Sequence, residues 1–145
     1  MKEYNFDTTH FRHQVEIQMR FSDLDALNHV NNGCQMQYFD VGRIHYMTDV
    51  LGKEIDWSED FCVIVHLELD FMSSLEMGMK PYVETKIVSF GEKSMKMFQR
   101  IIDKNTGEVK STCFSVLAGL DRKNHCSMPI PEYLKQAFTS FEEGK

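Results

Sequence analysis

Apolar and polar residues alternate strictly near the start of the chain. Val15, Ile17, Met19 and Phe21 interleave with Gln14, Glu16, Gln18 and Arg20. A period of two predicts a strand with one buried face. From Cys34 to Leu51 the spacing changes. Tyr38, Phe39, Val41, Ile44, Tyr46, Met47, Val50 and Leu51 form a run of helical length. They spread over more than a narrow stripe, so this helix is expected to be covered on several sides. Asn31, Asn32 and Gly33 suit its start, because an asparagine side chain caps first-turn amides, and Gly52 suits its end. Asp40 and Arg43, three residues apart, are placed to pair on its polar edge.

The remaining pattern is mostly strand. Val63, Val65, Leu67, Leu69 and Phe71 are expected to face one way, with Cys62, Ile64, His66, Glu68 and Asp70 facing the other. Further strands are predicted from Tyr82 to Phe90, Met95 to Ile102 and Val109 to Asp121, the second with mixed faces and room for a bulge. Gly91-Glu92-Lys93-Ser94 and Asp103-Lys104-Asn105-Thr106-Gly107 read as hairpin turns. Pro129 and Pro131 end the sheet, and Pro131 suits the first turn of a short helix reaching about Phe141. The order is strand, long helix, four strands largely joined by short turns, small helix. That predicts one α+β domain over residues 1–145, its antiparallel sheet wrapping the long helix, with residues 1–12 as a loosely docked leader. The sheet's edge strands call for edge-to-edge dimerisation.

Composition narrows the setting. A chain of 145 residues is long enough to bury about two-thirds of its unfolded surface. No apolar run approaches the roughly 20 residues that span a bilayer, and the N-terminal residues lack a secretory apolar core. A cytoplasmic protein is expected. The net charge of −6 argues against nucleic acid, which needs a basic footprint, while leaving room for an anionic ligand held by local cations. Cys34, Cys62, Cys113 and Cys126 form no C-x-x-C pair and read as reduced thiols. The histidines show no H-x-H or H-x-x-x-H spacing, so no metal is expected.

The chemistry concentrates in the polar loop between strand and long helix. Asp25 precedes a helix N-terminus, where the dipole is positive and amides point outward. A carboxylate there can act as nucleophile or general base, and the amides around Asn32, Gly33 and Cys34 can hold an oxyanion. The competing reading is that Asp25 only caps a turn. Asp23 competes for the same role, and its closeness to Asp25 suggests a structural bond to the loop backbone. His29 either orients a substrate carbonyl, holds Asp25 or bonds to backbone, and Asn28, Asn31 and Asn32 shape the loop. Cys34 at a helix start would have a lowered pKa and could be a nucleophile. Lys93, Lys96 and Arg100 could hold a phosphate, although Gly91–Ser94 is not a P-loop. His66, Glu68 and Asp70 line a pocket or a solvated strand face.

The string Asp23-Leu24-Asp25-Ala26-Leu27-Asn28-His29-Val30-Asn31-Asn32, followed by Tyr38-Phe39-Asp40-Val41-Gly42-Arg43, resembles the signature of acyl-CoA thioesterases of the 4-hydroxybenzoyl-CoA thioesterase type. The resemblance implies a hotdog fold, a long helix wrapped by a five- to six-stranded antiparallel sheet. It implies thioester hydrolysis on an acyl-CoA or acyl-ACP, with Asp25 as the catalytic carboxylate and helix-start amides polarising the carbonyl. It also implies no cofactor beyond the substrate's own coenzyme A. Its sites lie at the interface of a homodimer, often paired into a homotetramer, with basic residues meeting the CoA phosphates. Where relatives usually carry glycine this chain has Asn28, a residue that tolerates left-handed backbone. Acyl-ACP thioesterases share His-Val-Asn-Asn but use an Asp-x-Asn-x-His set; Leu27 stands where that asparagine would be, so their triad is not carried over. A non-catalytic module that binds acyl thioesters is the alternative.

Overall fold

The computed structural model describes residues 3–145, so Met1 and Lys2 of the expected leader lie outside the described residues. The long helix α1 runs Asn32–Leu51. Asn31 caps it by accepting from the Gly33 amide at 2.7 Å, and Gly52 closes it in the left-handed conformation at φ 69°. Strands β1 (His13–Glu16), β2 (Phe61–Phe71), β3 (Pro81–Phe90), β4 (Ser94–Asp103), β5 (Val109–Asp121) and β6 (Cys126–Met128) form one antiparallel sheet, and α2 (Glu132–Glu142) closes one end. The main path orders the strands β1-β3-β4-β5-β2, with β6 added to β5. Only β3, β4 and β5 make the expected chain of hairpins. β2 pairs with β5 at the far edge, so residues 72–80 carry the chain back across to β3.

Several expectations need correcting. The first strand stops at Glu16 rather than continuing to Phe21, because its partner β3 begins only at Pro81. One more bond, from the Ile17 amide to Pro81 O, follows. The alternation nevertheless reports a real buried face, since Val15, Ile17 and Met19 pack against the core. In β2 a bulge lies between Ile64 and His66. Val63 is opposite Ala118 and Leu67 opposite Ser115. Those partners are an odd number apart, so Val63 and Leu67 lie on different faces. β4 itself is regular, and its mixed pattern has another cause: both its faces are buried. β6 was hidden in the polar stretch before Pro129.

The core sits between the sheet and one side of α1. Tyr46 and Met47 pack with Met95, Met97, Leu117 and residues of α2, while Tyr38 and Phe39 pack with Leu75, Val83 and Ile101. Expected cover on several sides of α1 is not present in the single chain, where Met36 and Val41 are 43% and 39% exposed. Gly42 lets α1 lie directly on β3, since a Cβ there would collide with Val83. Arg43 pairs with Asp40 as expected, at 2.6 Å, and its Nη2 also donates to the buried Gln99 at 3.2 Å.

Candidate active site

The polar loop folds as a small hairpin mounted on the start of α1. A single 3-10 turn, Phe21–Asp23, opens it. Asp23 is 1% exposed and structural. It accepts from the Arg20 amide at 3.0 Å, the Arg20 Nε at 3.1 Å and the Tyr38 hydroxyl at 2.6 Å. Burial alone would raise its pKa, but these donors outweigh burial and hold the carboxyl below its ordinary value. Leu24 then bridges Val30, the Asn31 amide donates to Asp23 O at 2.9 Å, and the Val30 amide to Leu75 O at 2.6 Å. These bonds fix the loop to the helix start and to the β2–β3 connection.

Asp25 occupies the hairpin's end. Its amide donates to His29 O at 2.8 Å, and its Oδ1 accepts from the amides of Leu27 at 2.9 Å and His29 at 3.2 Å. The turn-capping role is therefore real, but it uses one oxygen. Oδ2 has no hydrogen-bond partner among the described residues, and the side chain faces solvent. Asn28 stands at φ 61°, the left-handed conformation that glycine adopts freely and asparagine better than most residues. The substitution thus preserves the backbone the loop requires.

The other expected residues separate by role. The His29 backbone holds Asp25, while its ring turns to Glu76, with Nε2 3.5 Å from Oε1. Asn31 is the helix cap, so the Gly33 amide is occupied. The amides of Asn32 and Cys34 have no acceptor among the described residues and remain as donors at the positive end of α1. Cys34 requires a correction. Burial, with the neighbouring Asp23 carboxylate, pushes its thiol above the ordinary value, opposite to the lowering a helix start alone would give. It is not an activated nucleophile.

The basic set does not join this loop within the chain. Lys93 lies in the β3–β4 turn, at the other end of the sheet from the Pro81 and Asp103 end that adjoins the loop, and Lys96 is exposed nearby on β4. Arg100 must be withdrawn from it. Its guanidinium is held by Glu84 at 2.6 and 3.1 Å and lies 4.4 Å from the Phe11 ring centroid. His66 and Asp70 are exposed on β2, and His66 Nε2 lies 3.4 Å from Glu68 Oε1. The sequence placed Tyr38 in the apolar run of the helix and in the family string without a role at the loop, and it did not single out Gln35. Gln35 is 3% exposed and accepts from the Ser111 hydroxyl at 2.7 Å, tying the first turn of α1 to β5. A polar glutamine opening an apolar helix was the available signal.

A family model described as the Thioesterase-like superfamily matches residues 19–138, and the chain belongs to that superfamily. Among solved structures, a thioesterase from Thermus thermophilus complexed with coenzyme A and Zn is 27% identical, with a TM-score of 0.79, covering 93% of this chain and 96% of that one. DHNA-CoA thioesterase from Staphylococcus aureus is 18% identical, with a TM-score of 0.76 and coverage of 91% and 94%. A hypothetical protein from Staphylococcus aureus in complex with CoA is 14% identical, with a TM-score of 0.80 and coverage of 91% and 84%. No curated protein matches the chain. The sheet wrapped around α1 is the hotdog fold of the Thermus thermophilus thioesterase. Among the described residues no helix is long and apolar enough to cross a membrane.

Proposed function

We propose that the chain hydrolyses an acyl-CoA thioester with Asp25 as the catalytic carboxylate. One observation carries the reading: Asp25 Oδ1 is anchored by two amides while Oδ2 has no partner among the described residues, in the loop that leads into a helix start with two unpaired amides. As general base, Asp25 takes a proton from water as the water oxygen bonds to the thioester carbon. The carbonyl electrons move to an oxyanion held by the amides of Asn32 and Cys34. Its collapse reforms the carbonyl, breaks the carbon–sulfur bond and expels the CoA thiolate, which takes up the proton held by Asp25, leaving the carboxylic acid. As nucleophile, Asp25 would instead form a mixed anhydride that water then opens. No cofactor takes part beyond the coenzyme A of the substrate, and Lys93 and Lys96 are the cations proposed for its phosphates. Two structurally similar proteins complexed with coenzyme A support CoA over acyl-carrier protein as the carrier.

The proposed unit is a homodimer, on its own or paired into a homotetramer. The β2 edge exposes Val63, Ile64, Val65, Leu67 and Phe71. An apolar edge strand of this length is a pairing surface. The proposed setting is cytoplasmic, where the four free cysteines stay reduced.

The test is thiol release from a panel of acyl-CoAs and acyl-ACPs of varied chain length and head group. Turnover on CoA esters supports the reading. The engagement of Asp25 Oδ1 in the turn favours a second reading, a binding module that holds the thioester without cleaving it. Saturable binding of the esters with no thiol released from any of them would establish that instead.

A further inference from the structure

Trp57 is the only tryptophan in the chain, and it is 56% exposed. It is nevertheless held in place. Asp56 accepts from the Ser58 amide and hydroxyl at 2.9 and 2.6 Å, and the Glu59 amide donates to Asp56 O at 3.1 Å. That turn sets the indole edge-on against the buried Phe61, with ring centroids 5.8 Å apart. Both rings line a cavity of about 250 Å³ between α1 and the start of β2. Ile44, Met47, Ile64 and Leu117 add to its apolar lining. Its charged wall is Arg43 with Asp40, paired at 2.6 Å. Arg43 Nε is buried with no hydrogen-bond partner among the described residues, which leaves one donor facing that wall. A fixed indole, wet on one side and packed on the other, suits a surface against which a ligand packs.

The place of this cavity follows from the sheet. β2 runs from Phe61, opposite Leu120, to Phe71, opposite Ser111. Its Phe71 end leads into the connection that the Asp25 loop grips, through the Val30 amide on Leu75 O at 2.6 Å and the bridge between His29 and Glu76. The strand has 11 residues, roughly 33 Å of extended chain, and the cavity lies at its Phe61 end, remote from the same chain's Asp25. Two β2 edges joined about a two-fold axis normal to the sheet run antiparallel, with α1 of both chains on one side. The Phe61 end of one strand then lies beside the Phe71 end of the other. In that dimer the cavity of one protomer opens next to the catalytic loop of its partner.

We propose that this cavity takes the far end of the acyl group whose thioester sits at Asp25 of the partner subunit, and that Trp57 sets how long that group can be. The inference rests on the thioesterase reading and on the β2 dimer. A cavity of about 150 Å³ holds benzene, so this one takes a single substituted ring or a chain of medium length. A longer chain meets the indole. Asp40 already matches the charge of Arg43, so a terminal carboxylate would face a like charge without a free cation. The class is a compact, uncharged acyl end.

The test joins binding and turnover. S-alkyl-CoA thioethers have no carbonyl to hydrolyse, and tryptophan emission from the parent chain comes from Trp57 alone. The octyl thioether should move that emission to shorter wavelength, and the methyl thioether, too short to reach, should leave it in place. Trp57→Ala should raise kcat/KM for long-chain relative to medium-chain acyl-CoAs about tenfold or more, while Trp57→Phe keeps the parental order. An ester ending in a carboxylate should be turned over more slowly than its uncharged equal in length. Mixed dimers, isolated through two affinity tags, assign each tryptophan to an aspartate. An Asp25→Asn chain paired with a Trp57→Ala chain has one working carboxylate, facing Trp57 of the partner subunit, and should show the parental length profile. The parent paired with a chain carrying both changes should show the relaxed one. Circular dichroism and a cooperative thermal transition certify folding of each variant. Turnover with one length profile in the parent and Trp57→Ala would overturn the inference. So would the reverse result in the mixed dimers, or unchanged emission with every thioether that inhibits turnover. An emission shift with no thiol released from any ester would sink hydrolysis alone and leave the cavity as the acyl pocket of a binding module.

Discussion

Tyr38 donates its hydroxyl to Asp23 Oδ2 at 2.6 Å, from the second turn of α1 into the loop that presents Asp25. Asp23 is buried and ionised, so the donor it would lose in Tyr38→Phe is not replaced by water. The expected cost is about 1–3 kcal/mol by urea titration at neutral pH. The sign with pH follows from the depressed carboxyl of Asp23. A carboxyl with a lower pKa in the folded state contributes stability above its unfolded value and loses it as pH falls through the folded value. The gap between the parent and Tyr38→Phe should be widest near neutrality and narrow below about pH 4, the ordinary aspartate range. A gap that is constant with pH would mean that Asp23 carries no charge in the fold.

Asp25→Asn separates the carboxylate's chemistry from its structural bonds. The amide oxygen of asparagine still accepts from Leu27 and His29, so the hairpin should keep its shape. The expected result is an unchanged melting temperature with thiol release reduced about 10²- to 10⁴-fold, the range for a lost general base. Asp25→Ala should lose activity equally and also lower the melting temperature, since two amides lose their acceptor. Full activity in Asp25→Asn would remove Asp25 from the chemistry. A single turnover in ¹⁸O-labelled water tests the nucleophilic role: label in Asp25 marks a mixed anhydride opened at the aspartyl carbon, whereas label in the released acid alone fits either the general base or an anhydride opened at the acyl carbon.

Asn28 tests the backbone of the same loop. Its φ of 61° is available to glycine without steric cost, while a β-branched side chain pays about 1–2 kcal/mol there. Asn28→Gly should retain stability and turnover. Asn28→Val should lose roughly that much stability by chemical denaturation and lose turnover more steeply, because the strain falls between Asp25 and His29. Equal behaviour of the two variants would show that the loop does not need this conformation.

What the sequence disclosed, and what it concealed, divides along physical lines. Helix α1, its caps at Asn31 and Gly52 and the strand β5 were legible because local chemistry decides them: an asparagine oxygen on an amide, a glycine in left-handed geometry, an alternating apolar face. The end of β1 was not, because it depends on where Pro81 starts the neighbouring strand. The faces of β2 were not, because one inserted residue near Val65 reverses them. Within the site, Asp25 stood out by position, yet the partition of its two oxygens depends on a turn that closes in three dimensions. The thiol of Cys34 was misjudged because the helix dipole can be read along the chain, whereas burial beside Asp23 cannot. The loosely docked leader proved to carry the cover for Phe98, in the rings of Tyr4, Phe6 and Phe11, which explains why β4 looked two-faced.

Gly42 tests whether the seating of α1 on the sheet reaches the site. An added methyl would strike Val83 and approach Gln99 Nε2 at 3.2 Å, and Gln99 in turn holds Phe39 O at 3.0 Å and Arg43 at 3.2 Å. Alanine favours a helix over glycine by about 1 kcal/mol, so a loose interface would make Gly42→Ala stabilising. Overpacking against β3 costs about 1–3 kcal/mol, and with backbone-linked neighbours on both sides that cost should win. The variant is expected to be destabilised, and Val83→Ala should relieve it, with a favourable coupling of about 0.5–3 kcal/mol in the double-mutant cycle. Tilting α1 also moves Tyr38, and through it Asp23 and the mount of Asp25. Thiol release should therefore fall in Gly42→Ala and recover in the double variant together with stability. Recovery of stability without recovery of turnover would separate the helix seat from the loop, leaving the Tyr38–Asp23 bond as a local brace.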